Sequence, residues 1–237
     1  MEKYYKLLLL NFFLSTSALA GISVDTTRVI FSSENVTQGK SVGVSSSKQS
    51  TTPYLVKAQV IADIDGNNTN VPFVVTPSLF RLEPGNTNQL RIMYIGGDLP
   101  NDKETVFYFR TTAMPAGDKN SLEFQKVVGG ALSVSTGTII KLFYRPNGLS
   151  LTQKQAMANL EFTQKSQYLV ARNPTPYFIT LSTLTVDGVS VPLSLNNTML
   201  APFSTQHYLV KSPVIKSVQW QAINDYGAKE EFNGKIN

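Results

Sequence analysis

The chain has 237 residues, no cysteine, one histidine, and 21 Lys and Arg against 16 Asp and Glu, for a net charge of +5. Without cysteine there are no disulfides, no thiolate metal sites and no thiol catalysis, and neither a metal nor any other cofactor is expected. The basic excess is mild, with no Lys/Arg cluster and no RNA-binding aromatic motif, so nucleic acid is not an expected partner.

Residues 1–20 read as a signal peptide. Lys3 and Lys6 give a positive start, residues 7–14 an apolar run, and Ala18-Leu19-Ala20 a cleavage signal. The run is too short to span a bilayer. No later segment reaches the ~18 apolar residues of a membrane helix. The expectation is an exported chain that begins at Gly21 and is not membrane-embedded. Lacking disulfides, it must be held by its cores, which asks for domains of at least ~80 residues.

From there the chain reads as strands. Ile22, Val24 and Ile30 alternate with polar neighbours, as do Val42 and Val44. Residues 54–61, 73–75, 90–94 and 106–109 follow, each bounded by Gly, Pro, Asn or Asp. Asp65-Gly66, Pro84-Gly85, Asn147-Gly148 and Asp187-Gly188 are turn dipeptides. Only residues 153–160 have a helix-like composition. The spacing predicts an all-β chain of sandwiches. Pro146-Asn147-Gly148 cannot continue a central strand, which divides the chain into 21–145 and 146–237. Each part suits a seven-stranded immunoglobulin-like sandwich; a single large barrel is the alternative.

The motifs for catalysis lack their contexts. Gly39-Lys40-Ser41-Val42-Gly43 matches a serine-nucleophile pattern, but that pattern needs a strand, a sharp turn and a helix. A hydrolase would also need His207, far along the chain, to meet Ser41. Asp63, Asp65 and Asn67 alternate like calcium ligands without the downstream bidentate Glu. Three Asn-x-Thr acceptor triplets, at Asn35, Asn67 and Asn196, are a weak signal in a turn-rich chain.

Charges on apolar strands say more. Ile139-Ile140-Lys141-Leu142-Phe143-Tyr144-Arg145-Pro146 is apolar on both faces, with a lysine in the middle. A buried ammonium without a partner is very costly, and nothing beside Lys141 is acidic. Its anion is either a distant carboxylate of this chain or a group on another molecule. Arg28 shares strand parity with Ile22, Val24 and Ile30, which aims it where apolar neighbours point. Two such cations look like a carboxylate receptor, Arg gripping with two parallel bonds and Lys adding a point charge. Just before, Leu132-Ser133-Val134-Ser135-Thr136 alternates apolar and small polar residues, as a strand at a sheet edge does.

Taken together, these stretches resemble the PapD-like family of periplasmic pilus-assembly chaperones. The resemblance is carried by Asp25-Thr26-Thr27-Arg28, Arg81-Leu82-Glu83-Pro84-Gly85, residues 99–109 and residues 140–146. In the second half it is carried by Asn173-Pro174-Thr175-Pro176-Tyr177-Phe178 and Ile223-Asn224-Asp225-Tyr226-Gly227. It implies two immunoglobulin-like β-sandwich domains arranged as a boomerang with an interdomain cleft, a periplasmic location and no catalytic site. Arg28 and Lys141 would anchor the C-terminal carboxylate of a pilus subunit. Leu132, Val134 and Thr136 would belong to the strand lent to that subunit, and Glu104, Arg145 and Asp225 to a buried interdomain ion network. An outer-membrane usher would be the second partner.

The chain departs from the family at Thr136 and Thr138, where bulkier apolar residues are common. It also has a long approach to Lys141, interrupted by Gly129-Gly130, without the cysteine pair of long-loop members. Leu122, Phe124, Val127 and Val128 either extend the binding strand or cover it. The alternative reading is an exported two-domain adhesion or carbohydrate-binding module. Self-association of the free form is left open by the sequence.

Overall fold

A computed structural model describes residues 21–116, 135–212 and 214–236. The first half holds β1 (Ile22–Val24), β2 (Arg28–Ser32), β3 (Lys40–Ser46), β4 (Tyr54–Ile61), β5 (Phe73–Thr76), β6 (Leu79–Leu82), β7 (Thr87–Tyr94), β8 (Thr105–Pro115) and β9 (Thr136–Arg145). They form a four-stranded sheet, β1-β3-β7-β5, and a five-stranded sheet, β2-β9-β8-β4-β6. Period-2 patterning explains the packing. In β4, Tyr54, Val56, Ala58 and Val60 turn inward, and in β7 Leu90 and Ile92 do. Phe73 meets Phe31 and Phe107 edge-on, with both ring centroids 5.1 Å away. Each such side chain, fully buried, contributes about 1.5–3 kcal/mol.

One expectation fails here. The first segment is two strands in different sheets: β1 pairs antiparallel with β3, and β2 pairs parallel with β9. Asp25 pins the crossing, its carboxylate accepting from the Gly43 N–H at 2.9 Å. Parity counted from Ile22 therefore does not carry through to Arg28, because period 2 holds only along one continuous strand. In β2 the core residues are Val29 and Phe31. Arg28 takes the opposite face, away from the core of its own sandwich.

The second half holds α1 (Gln153–Ala158), β10 (Glu161–Lys165), β11 (Tyr168–Arg172), β12 (Ile179–Val186), β13 (Val189–Ser190), β14 (Met199–Leu200), β15 (Thr205–Leu209), β16 (Val218–Ile223) and β17 (Lys229–Gly234). Thr152 caps α1, accepting from the Gln155 N–H. One sheet runs β10-β11-β15, and the other β13-β12-β16-β17 with β14 beside β12. Asp187 (φ 48°) and Gly188 (φ 80°) make the two-residue turn between β12 and β13. A second core, separate from the first, gathers around Trp220, Phe162 and Tyr208. The Trp220 indole N–H donates to the Met157 carbonyl at 3.0 Å. The fold is thus two immunoglobulin-like sandwiches, not one barrel.

Candidate functional site

Strand β9 faces two ways. Ile140 and Leu142 enter the first core. Lys141, Phe143 and Arg145, on the other face, meet the second half of the chain. The Phe143 ring lies 5.7 Å from the Phe178 ring. The Lys141 ammonium donates to the Thr180 hydroxyl at 3.4 Å. Arg145 reaches Asp225.

Arg28 sits directly across from Lys141 in the parallel β2–β9 register. It is only 7% exposed. Its Nη1 donates to the Ile223 carbonyl at 2.9 Å, and its guanidinium lies 5.8 Å from the Phe143 ring centre. Its Nε is buried and has no hydrogen-bond partner. Burial lowers the Arg28 guanidinium from its usual value, with Asp225 and Glu104 opposing through space. Burial also brings the Lys141 ammonium down to about 8, and the neighbouring Arg28 charge adds to the drop. Among the described residues neither cation forms an ion pair. Two desolvated cations thus stand side by side, one with an idle N–H.

The carboxylates that act on Arg28 through space are already engaged. Glu104 donates its own N–H to the Pro176 carbonyl at 2.9 Å. Its side chain, 2% exposed, accepts from Arg145 Nε at 2.7 Å and from the Phe178 N–H at 2.8 Å. Arg145 grips Asp225 with two parallel bonds, at 2.7 and 2.8 Å. The Arg145 guanidinium also lies 5.0 Å from the Tyr177 ring centre. Burial disfavours the Arg145 charge, but the bonds to Asp225 and Glu104 outweigh it and hold the guanidinium firmly protonated. Burial pushes the Glu104 carboxyl up, against the pull of Arg145 and the Phe178 N–H. Both Glu104 oxygens accept N–H bonds, so the ionised form is the one the geometry holds. Glu104, Arg145 and Asp225 thus come together, and they join the two sandwiches.

Thr136 opens β9 as an exposed residue opposite Ala113 of β8. Strand β2 covers only Lys141 to Arg145, so among the described residues Thr136 to Ile140 have a β-neighbour on one side only. Leu132 and Val134 lie outside the described residues, as do Leu122, Phe124, Val127 and Val128. Ser41 lies on β3 of the first sandwich, where no helix follows, and His207 on β15 of the second. The Asp63 carboxylate accepts from the Asn67 and Asn68 N–H groups and so shapes its own turn. Sequence reasoning assigned no role to Thr180, Tyr177, Phe178 or the Ile223 carbonyl. The Asn173–Phe178 motif was the available signal for two of them; a backbone carbonyl leaves none.

Two sandwiches joined through a buried ion network, with a cationic cleft at the joint, define a class of two-domain immunoglobulin-like proteins. Two family domains match this chain: the pili and flagellar-assembly chaperone PapD N-terminal domain over residues 21–150, and the pili assembly chaperone PapD C-terminal domain over residues 155–233. The chain belongs to the PapD family of pilus-assembly chaperones. The probable fimbrial chaperone protein ElfD of Escherichia coli K12 is 37% identical over 210 residues, covering 88% of this chain and 84% of that protein. The chaperone protein FimB/FhaD of Bordetella pertussis is 33% identical over 231 residues, covering 94% and 91%. Among solved structures, the SafA pilin–SafB chaperone complex of Salmonella enterica gives a TM-score of 0.76 at 28% identity, covering 93% of this chain and 98% of the matched one. The E. coli chaperone DraB gives 0.75 at 32% identity, covering 92% and 97%. These likenesses favour a periplasmic pilus-assembly chaperone over an adhesion or carbohydrate-binding module.

Proposed function

We propose that this chaperone captures a pilus subunit by anchoring the subunit's C-terminal carboxylate on Arg28 and Lys141 while lending it an edge strand through Leu132, Val134 and Thr136. A subunit that lacks a strand exposes an apolar groove and unpaired backbone groups. An added strand satisfies the backbone, and its alternate side chains fill the groove. The anchor sets the register, since a slip of one residue would turn the wrong face inward. Glu104, Arg145 and Asp225 hold the angle between two domains, 21–145 and 146–237, so that the cleft keeps its shape. The mature chain starts at Gly21 after cleavage, and the loaded chaperone delivers its subunit to an outer-membrane usher.

The observation that carries this reading is the Arg28–Lys141 pair, desolvated, adjacent and without an ion-pair partner among the described residues. The test is co-purification of a pilus subunit from the periplasm with a tagged chaperone. Arg28→Glu and Leu132→Asp, each checked for folding, are expected to lose the subunit. The first inverts the anchor charge, and the second puts an unpaired carboxylate in the subunit's groove. Normal subunit yield with folded Arg28→Glu would end the anchor assignment. Normal yield with Leu132→Asp would move the lent strand to residues 122–128.

A further inference from the structure

One short loop of the second sandwich makes much of the contact with the first. Pro176 offers its carbonyl to the Glu104 N–H, Phe178 gives its N–H to the Glu104 carboxylate, and Tyr177 places its ring against Arg145. The Tyr177 hydroxyl donates to the Leu151 carbonyl, in the stretch that links the sandwiches. The loop, residues 173–178, lies between β11 and β12 and belongs to no strand. Pro174 and Pro176 remove two of its N–H groups, so ladder bonds cannot give it shape.

Its shape comes chiefly from one amide, beside which Thr175 accepts from the Tyr177 N–H at 3.4 Å and the Phe203 N–H at 3.3 Å. Asn173 is 0% exposed. Its Nδ2 donates to the Tyr177 carbonyl at 2.7 Å and the Ala201 carbonyl at 2.9 Å, and approaches the Leu200 carbonyl at 3.4 Å. Its Oδ1 accepts from the Thr175 N–H at 3.0 Å and the Thr175 hydroxyl at 2.7 Å. A carboxamide has two donor hydrogens and an oxygen with two lone pairs, and every one is used here. Asp would lose both donors. Ala would leave three carbonyls and a hydroxyl buried without this partner.

We propose that Asn173 is a positioning residue for the angle between the sandwiches. Its amide fixes Pro176, Tyr177 and Phe178 where Glu104 and Arg145 grip them. Because Thr180 follows immediately in β12, the same amide also sets where the second sandwich stands relative to Lys141. The interdomain part stands on the geometry alone. The consequence for subunit capture rests on the carboxylate-anchor reading.

The competing view is that Asn173 only stabilises its own sandwich, and the test must separate the two. The chain has no cysteine, so cysteines placed at the exposed Lys57 and Lys165, one on each sandwich, can be spin-labelled cleanly. Electron–electron distance measurements then report the domain angle. The parent is expected to give one narrow distance. Asn173→Ala is expected to shift or broaden it, and so is the milder Thr175→Val, which removes one of the amide's five bonds together with the bond the Thr175 hydroxyl accepts from the Tyr177 N–H. Val218→Ala, a core change on β16 away from the loop, is expected to lower the melting temperature and keep the parent distance. An unchanged distance in folded Asn173→Ala and Thr175→Val would overturn the inference. Should Asn173→Ala fail to fold, Thr175→Val decides alone. A changed distance with undiminished subunit capture would leave the inference standing and remove the anchor reading instead.

Discussion

Replacing Lys141 by methionine should stabilise the free chaperone while abolishing its work. The side chains are similar in length, and only one carries charge. Burial lowers the Lys141 ammonium from 10.5 to about 8. At about 1.4 kcal/mol per pH unit, that drop corresponds to ~3–4 kcal/mol against folding at neutral pH. The ammonium keeps part of its water, so the recoverable share is nearer ~1–2 kcal/mol. For a chain of this size that raises the melting temperature by about 2–8 °C. The gain depends on pH. Below about pH 8 the ammonium is charged in both states, and folding strips it of water. From there to 10.5 the folded state releases its proton while the unfolded chain keeps it, so the parent grows more stable as pH rises. The advantage of Lys141→Met should therefore be complete at pH 7 and gone above pH 10.5. Thermal melts of both proteins across that range measure it, beside a subunit-capture assay at pH 7. A variant that melts below its parent at pH 7 would mean that Lys141 has an anionic partner inside the chain, and the reasoning would fail.

Two further changes probe the joint between the sandwiches. Arg145→Ala strands Glu104, 2% exposed, with only the Phe178 N–H. The expected loss is about 3–5 kcal/mol, at the lower end because Asp225 is a quarter exposed. The deficit should narrow toward about pH 5, because burial already raises the Glu104 carboxyl and a protonated Glu104 needs no cation. A deficit that is the same at pH 7.5 and about pH 5 would refute this. Gly227 has φ +84°, and a Cβ there would stand 2.4 Å from the Thr27 hydroxyl of the other sandwich. Gly227→Ala should cost ~1–2 kcal/mol in backbone strain plus the clash. Adding Thr27→Ala should recover part of the loss in a chemical melt, and no recovery would show that the contact is not the cause.

The sequence made the fold legible wherever one strand ran unbroken. Residues 54–61 form β4 with those bounds, buried and less buried positions alternating from Tyr54 to Val60. β6 escaped because three of its four residues face outward or halfway and only Leu82 is fully buried, too few for a period. Arg28 was singled out by a parity that breaks where the chain changes sheets, although its burial is real. Lys141 was legible from physics alone, as a cation among apolar residues. The Glu104–Arg145–Asp225 cluster was not. Its members lie 41 and 80 residues apart, no local pattern links them, and only the family resemblance brought them together. The Ile223 carbonyl and the Phe178 N–H were beyond reach, because every residue carries a backbone carbonyl and every residue but proline an N–H.

The parallel pairing of β2 with β9 has a consequence in time. β2 is among the first of the described segments in chain order, yet among the described residues its only strand partner is the last strand of the same sandwich. Such a pairing closes a very long loop, the kind of contact that forms late and slowly. Until it forms, Arg28 and Lys141 are strangers on a partly folded chain. Completion of the sandwich is therefore the event that creates the paired charge. On the proposed anchor reading, a half-folded molecule has nothing to hold a carboxylate with, and subunit capture becomes a readout of finished folding.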